Sequence, residues 1–353
     1  MKTMTIDEAA RTVRGARSTL RRTVLVCVAL GAALLLFIVA AAVIGAERLP
    51  VASSLCALFT GGGASCGLTL EQGSILFDIR LPRILLAASV GASLACAGAG
   101  YQALLRNPLA EPYLLGISNG AAVGTMVALV FFGAGEEGSE WVRPVMAFAG
   151  ALASTFLVYR LARGRTGASP EKLILAGVIV TTFLSSAIVF ITTLMDATRI
   201  RAFTFWLLGD LSGSSSKLLT VAIVAAVIGT IVLALNARSL NLLMLGERDA
   251  FDLGVEVGRV RLTVFLAASL LVGSSVAAAG SVGYVGLVVP HLVRLSLGGD
   301  NRTVVPAAAL AGALFVVVAD TAARTVIAPR ELPVGAITAL IGAPLFVFLL
   351  RRG

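Results

Sequence analysis

Nine long apolar segments, at about 24–45, 82–104, 113–133, 144–162, 172–194, 216–236, 260–281, 303–323 and 334–351, set the solvent this chain can fold in. A helix that crosses a bilayer needs about 20 mostly apolar residues at roughly 1.5 Å of rise each. The composition agrees: 13% of the residues are charged and 58% are hydrophobic, against about 25% charged in a soluble domain. The spacing predicts an all-α polytopic membrane protein with no separate soluble domain.

A tenth segment breaks the pattern. Residues Gly280 to Arg294 read GSVGYVGLVVPHLVR, with Gly280, Gly283 and Gly286 at every third position and Pro290 before the lone histidine, His291. Counted from Tyr284 to Leu297, the stretch is too short for an ordinary crossing. Broken backbone at membrane depth is tolerated only where it is buried in protein or lines a watery cavity. Two readings are open: a translocation path through Gly280, Gly283, Gly286 and Pro290, or a kinked packing helix. With this segment there are about ten transmembrane helices and both termini are cytoplasmic. Ten crossings put 19 of the 28 Lys and Arg residues on the inner side and 9 on the outer, as the positive-inside rule requires.

Residues 1–22 are expected to be a basic cytoplasmic tail, with Lys2 and five arginines, and 23–353 a single transmembrane domain. The following apolar run is longer than the roughly 7–15 residues of a signal-peptide core, so an uncleaved first span is preferred. The net charge of +9 lies in arginines that flank apolar runs, where they set topology and meet lipid headgroups. Nucleic acid is not an expected partner.

Cys56 and Cys66 bracket a glycine turn in the first outer loop. A disulfide and two free thiols are both open there. Cys27 and Cys96 lie within spans and read as packing residues, and no cysteine or histidine cluster has metal-ligand spacing. Ala197 to Leu211 reads as a short surface helix, with Trp206 at the interface or on a pore rim. The inner loop 237–261 carries Ala250, Leu253 and Val257 at helical spacing among Glu247, Arg248, Asp249, Asp252 and Glu256. Gly246, Gly254 and Gly258 punctuate it into short helices. Such a loop suits either a docked soluble partner or plain solvation.

Chemistry that would power transport is missing from the sequence. There is no phosphate-binding GxxxxGK[ST] loop, so ATP in that manner is not expected on this chain. Asp320, four residues before Arg324, is the main acidic group inside a clear span. Intramembrane carboxylates mark proton and ion paths, and their scarcity weighs against an ion-coupled secondary transporter. A membrane-embedded enzyme would need a catalytic cluster, and none is visible. The remaining class is a permeation scaffold driven from elsewhere.

Several stretches fall together in order: Ile79–Arg83 (IRLPR), Arg106–Pro112 (RNPLAEP), Leu115–Gly120 (LGISNG), Gly283–His291 (GYVGLVVPH), Glu331–Gly335 (ELPVG) and Gly342–Pro344 (GAP). From about residue 75 to the C-terminus the chain resembles the FecCD-type permease family of ATP-binding-cassette (ABC) importers for iron-siderophores, haem and vitamin B12. The resemblance implies the type II importer permease fold in a bacterial inner or plasma membrane. It also implies a second permease subunit, identical or paralogous, and two cytosolic ATPase subunits that carry ATP and Mg. A substrate-binding protein would dock outside. No cofactor or metal site is expected on this chain, and an Fe(III)-siderophore is the first-choice cargo, with haem or a cobalamin as alternatives.

The family's functional positions fall on named residues here. Arg80, Arg83 and Arg324 match outer-face arginines that meet glutamates of the binding protein. All three are expected at hydrated span ends. Asn107 and Leu109 match a cytoplasmic gate, where Pro108 and Pro112 interrupt helical continuation. A second gate position carries small hydroxyl residues in the vitamin B12 relative, whereas this chain reads Ser169-Pro170-Glu171. Gly246, Glu247, Asp249, Ala250, Leu253, Gly254 and Val257 match the coupling helices that insert into the ATPases.

Overall fold

The computed structural model describes residues 6–45, 47, 49–132, 141–164, 167–213 and 215–352. Its helices in chain order are α1 (Ile6–Val43), α2 (Val51–Thr60), α3 (Leu70–Ser74), α4 (Leu81–Leu104), α5 (Ile117–Phe132), α6 (Val142–Ala162), α7 (Pro170–Thr192) and α8 (Ala197–Leu207). They continue with α9 (Ser216–Leu235), α10 (Ala237–Leu245), α11 (Glu247–Asp252), α12 (Val257–Ala279), α13 (Val285–Leu297), α14 (Asn301–Thr325) and α15 (Val334–Arg352). A wide turn over Ile75–Arg80 joins α3 to α4, and a two-residue antiparallel pair, Arg163–Gly164 with Gly167–Ala168, precedes α7.

Among the described residues, seven helices are long and apolar enough to cross a membrane: those holding Leu20–Val43, Leu70–Leu104, Val142–Ala162, Pro170–Thr192, Ser216–Leu235, Val257–Ala279 and Asn301–Thr325. Four shorter apolar helices accompany them, α2, α5, α13 and α15; α2, at 10 residues, is too short to cross, and counting the other three gives ten. Two contacts check the alternation of direction. Thr23, near the start of the Leu20–Val43 span within α1, and Thr303, near the start of α14, share a hydroxyl bond at 2.6 Å. At the opposite ends, Arg80 before α4 donates to the carbonyls of Ala42 and Val43 at the end of α1, both at 3.0 Å. Thus α1 and α14 run the same way and α4 runs against them. Helix α1 runs unbroken from Ile6 through the expected tail into the first span.

The core is built around α4, in which nearly every residue from Arg83 to Leu104 is buried. Lipid gives helices no hydrophobic reason to associate, so close packing between small residues holds them. A side chain at Gly91 would collide with the Gly312 carbonyl of α14, and one at Gly98 with the Gly286 carbonyl of α13. Gly120 and Gly124 of α5 face Gly150 and the Met146 carbonyl of α6 in the same way. At the centre, the Tyr101 hydroxyl of α4 meets Ser269 of α12 at 2.6 Å.

Outside the core, Cys56 in the middle of α2 is joined to Cys66 in the turn after it, with Cα atoms 5.8 Å apart. Trp206 is 9% exposed and stacked on Phe203 at 6.1 Å, and Gly280 seats its backbone against the Trp206 carbonyl.

Gly91→Leu is expected to destabilise the purified chain by about 1–3 kcal/mol through overpacking, read as a lower thermal-unfolding midpoint. Gly31→Leu, where an added Cβ meets nothing within 4 Å, is expected to leave the midpoint unchanged. Equal midpoints for the two variants would contradict this packing.

Candidate functional site

Two stretches of chain leave the helical conformation among buried helices, and they face each other. The first follows α4. Arg106 takes a left-handed backbone (φ 50), and the Asn107 side chain accepts a bond from the Leu109 N–H at 2.9 Å, an Asx turn that substitutes for helical pairing. Pro112 then opens a single tight turn to Leu115, closed by Gly116 at φ 74. The second follows α12. Gly280 (φ 68) ends that helix, residues 281–283 run irregularly, and Tyr284 (φ 67) starts α13. A left-handed tyrosine is uncommon, costs about 1–3 kcal/mol and persists only where its surroundings hold it. Here Gly342 of α15 presses on the Tyr284 side chain, with room for no Cβ of its own.

Each break supplies the polar partners the other needs. The Tyr113 hydroxyl donates to the Val282 carbonyl at 2.9 Å and accepts from the Val282 N–H at 3.0 Å. The Tyr284 N–H reaches the Glu111 carboxylate at 3.3 Å, and Ser118 bonds Ser281 at 3.3 Å. Gln102 donates to the Leu287 carbonyl at 3.2 Å. Pro290 has no N–H for the Gly286 carbonyl four residues back, and that carbonyl packs on Gly98 instead. On the outer side, the Asp210 N–H closes on the Ala279 carbonyl at 2.8 Å and the Gly335 N–H on Leu208 at 3.1 Å.

Of the four expected path residues, Gly280, Gly286 and Pro290 are packed within this chain. Gly283 is half-buried and a Cβ on it would meet nothing within 4 Å. Above the breaks lies an outer cavity of about 360 Å³ whose lining includes Arg143, Trp206, Asp210 and Ser215. A second of about 190 Å³ includes Arg83, Phe205, Asp210 and Glu331. Trp206 thus lines the larger of these two cavities.

The three arginines sit at outer helix ends as expected, but they are not hydrated. Arg80, Arg83 and Arg324 are 4%, 7% and 5% exposed. Arg83 bridges Asp320 at 2.9 Å and Glu331 at 2.7 Å, and Arg324 holds the other Asp320 oxygen at 3.0 Å. Asp320 is fully buried, and a charge in such a place requires partners on this scale. Arg80 spends its donors on carbonyls of the α1 end, including Glu47. Glu331, with its side chain 47% exposed, is the member of the network that faces outward.

On the inner face, Leu109 is exposed and Asn107 half-buried. Ser169 caps α7 by accepting from the Lys172 N–H at 3.4 Å, with Pro170 in the first turn, so the Ser-Pro-Glu run is a helix start. In the inner loop the expected helical repeat of Ala250, Leu253 and Val257 is broken. The helix α11 ends at Asp252, Gly254 turns left-handed (φ 84), and Val257 begins α12. Ala250 is buried, whereas Leu245, Phe251 and Leu253 are 67%, 71% and 61% exposed. Glu247 pairs with Arg261 and fastens the elbow, and Gly246 supplies its first corner at φ 147.

Tyr113, Gln102, Glu111 and Glu331 escaped the sequence reading. The available signal was the requirement that broken backbone at membrane depth find side-chain partners, which directs attention to polar residues beside each break.

A model of the FecCD transport family matches residues 10–352. The chain belongs to that family. A cobalamin import system permease of Halobacterium salinarum is 44% identical over 277 residues, 78% of this chain and 73% of that protein. A hemin transport system permease of Yersinia pestis is 41% identical, covering 79% of this chain and 83% of that protein. A solved ABC transporter in an inward-facing conformation, assigned to the metal-chelate type, superposes with a TM-score of 0.81 at 30% identity, over 93% of this chain and 99% of that one. This chain is thus an ABC importer permease of the FecCD family, multi-pass in the cell membrane.

Tyr113→Phe leaves both polar groups of Val282 without their partner. The expected loss is about 1–3 kcal/mol, the cost of a stranded buried group, read as a lower unfolding midpoint. An unchanged midpoint would show that the hydroxyl does not bridge the breaks.

Proposed function

We propose that this FecCD permease passes a whole metal chelate across the membrane, with energy supplied by ATP and Mg on two cytosolic ATPase subunits. The observation that carries the reading is the pair of breaks at membrane depth, joined to each other through side chains. They give the bundle a place where access can change without exposing helical backbone to lipid. An Fe(III)-siderophore is the first-choice cargo that the sequence resemblance implies. Relatives named for cobalamin and hemin stand at 44% and 41% identity, too close to rank, so the reading rests on the chelate class.

Partners follow from unsatisfied surface. A second permease copy or paralogue fits the exposed apolar faces of α7 and α15, where Ile179, Phe183, Phe190 and Leu340 are exposed. The apolar tips Leu245, Phe251 and Leu253 fit a groove on an ATPase, since exposed apolar patches mark interaction sites. Gly246, Glu247, Asp249, Ala250, Gly254 and Val257 shape and hold that elbow. A substrate-binding protein would meet the outer face over Arg80, Arg83 and Arg324. Because those guanidiniums are buried, an acidic partner would reach Arg83 only by displacing Glu331 from it. Asn107 and Leu109 would form the inner gate.

The test is affinity purification of the tagged chain from its own membranes, followed by titration of any co-purified binding protein with haemin, cyanocobalamin and a ferric hydroxamate. A P-loop ATPase in the complex, and saturable binding of one chelate, is the expected result. A chain that purifies alone and moves substrate in vesicles without ATP would overturn the proposal.

A further inference from the structure

A separate polar cluster lies at the inner helix ends, and the roles described so far leave it unused. Asn241 of α10 donates to Asp300 at 2.7 Å. Its carbonyl oxygen accepts from both the backbone N–H and the side-chain amide of Asn301, each at 2.8 Å. The Asn301 oxygen accepts from Arg294 of α13 at 2.9 Å, and the same Arg294 nitrogen donates to the Ala99 carbonyl of α4 at 3.1 Å. Asn301 is fully buried, and its amide also reaches the Met244 sulfur at 3.3 Å. The Asp300 carboxyl is held down at about 2 by the Arg302 guanidinium bonded to it, so it stays charged.

Capping α14 requires Asp300 alone, which accepts from the Arg302 N–H at 3.0 Å. Arg294 and Asn301 do something more, because their contacts run in two directions. Through Asn241 and Met244 they hold α10, which leads into the elbow with the exposed Leu245, Phe251 and Leu253. Through Ala99 they hold α4 beside Gly98, the residue on which the Gly286 carbonyl of the second break rests. The rod between, α13, is 13 residues long and has a left-handed joint at each end, Tyr284 (φ 67) and Gly298 (φ 89). A short helix flanked by such joints can pivot as a unit, since a few terminal residues absorb the backbone change.

We propose that Asn241, Asn301 and Arg294 are positioning residues that link the cytosolic elbow to α13, so that movement of the elbow swings the second break. This rests on the reading that the elbow docks an ATPase. Energetic coupling between distant sites runs through contiguous packed and hydrogen-bonded groups that have two arrangements, and the cluster supplies the contiguous path from one to the other.

The test uses the purified complex of the full chain with its co-purified ATPase. Gly283→Cys, placed in open space at the break, reports by its rate of labelling with a hydrophilic maleimide. MgATP with vanadate is expected to change that rate. Adding Asn301→Ala, or Arg294→Lys, which keeps the charge but not the two-way reach, is expected to shrink the nucleotide-dependent change at least about fivefold, the low end of ordinary coupling strengths. ATP hydrolysis is expected to continue in both. An undiminished change in both variants overturns the linkage. Loss of the ATPase or of hydrolysis in both also overturns it, by making the cluster part of the docking surface. A rate in the parent that ignores nucleotide overturns it too, because the break would not move with the elbow. If no ATPase accompanies even the parent, the functional reading has failed first and the linkage falls with it.

Discussion

Backbone that leaves the helix inside a bilayer must find its hydrogen-bond partners in protein, because lipid offers none. This chain meets the requirement by setting two breaks against each other. Tyr113 takes both polar groups of Val282, Glu111 takes the Tyr284 N–H, and Gln102 takes the Leu287 carbonyl. Most of the remaining architecture serves that pairing. The small residues of α4 bring α13 and α14 into backbone contact, and the tight α5–α6 pair carries Gly116 with Ser154 bonded to its carbonyl at 2.8 Å. A bundle of uninterrupted helices would be easier to stabilise, but it would have no interior segment free to change partners.

Charge is handled the same way at both faces, by burial with partners. Outside, Asp320 is shared by Arg83 and Arg324, and only Glu331 is left to face a visitor. Inside, Asp300, Asn301, Arg294 and Asn241 form a second shared set. Buried ion pairs seldom add net stability, because desolvation offsets the attraction. Their value here is geometric: each set fixes where helix ends lie relative to the break between them.

Much of the fold was legible in the sequence, because membrane spans are announced by length and apolarity alone. The segments read at 82–104, 144–162 and 303–323 lie within α4, α6 and α14, and the Gly280–Arg294 stretch stands out as broken because it is too short to cross. Partnership was less legible. Arg80, Arg83 and Arg324 could be placed at outer ends, but their burial depends on Glu47 and Glu331, which come from other parts of the chain. The seat of the Trp206 carbonyl on Gly280, 74 positions away, is likewise invisible to local spacing. The repeat of Ala250, Leu253 and Val257 has helical spacing, but Gly254 turns the chain between them. In each case a long-range contact, which spacing does not encode, overrides a local pattern.

In the proposed cycle the two breaks move while the α4–α14 core stays fixed. Hydrogen–deuterium exchange on the purified complex, with and without MgATP, checks this. Peptides covering 105–116 and 280–286 are expected to change their exchange with nucleotide, while those from the middle of α4 and α14 stay protected in both states. Equal exchange across the breaks in the two states, or opening of the α4–α14 core in place of the breaks, would contradict it.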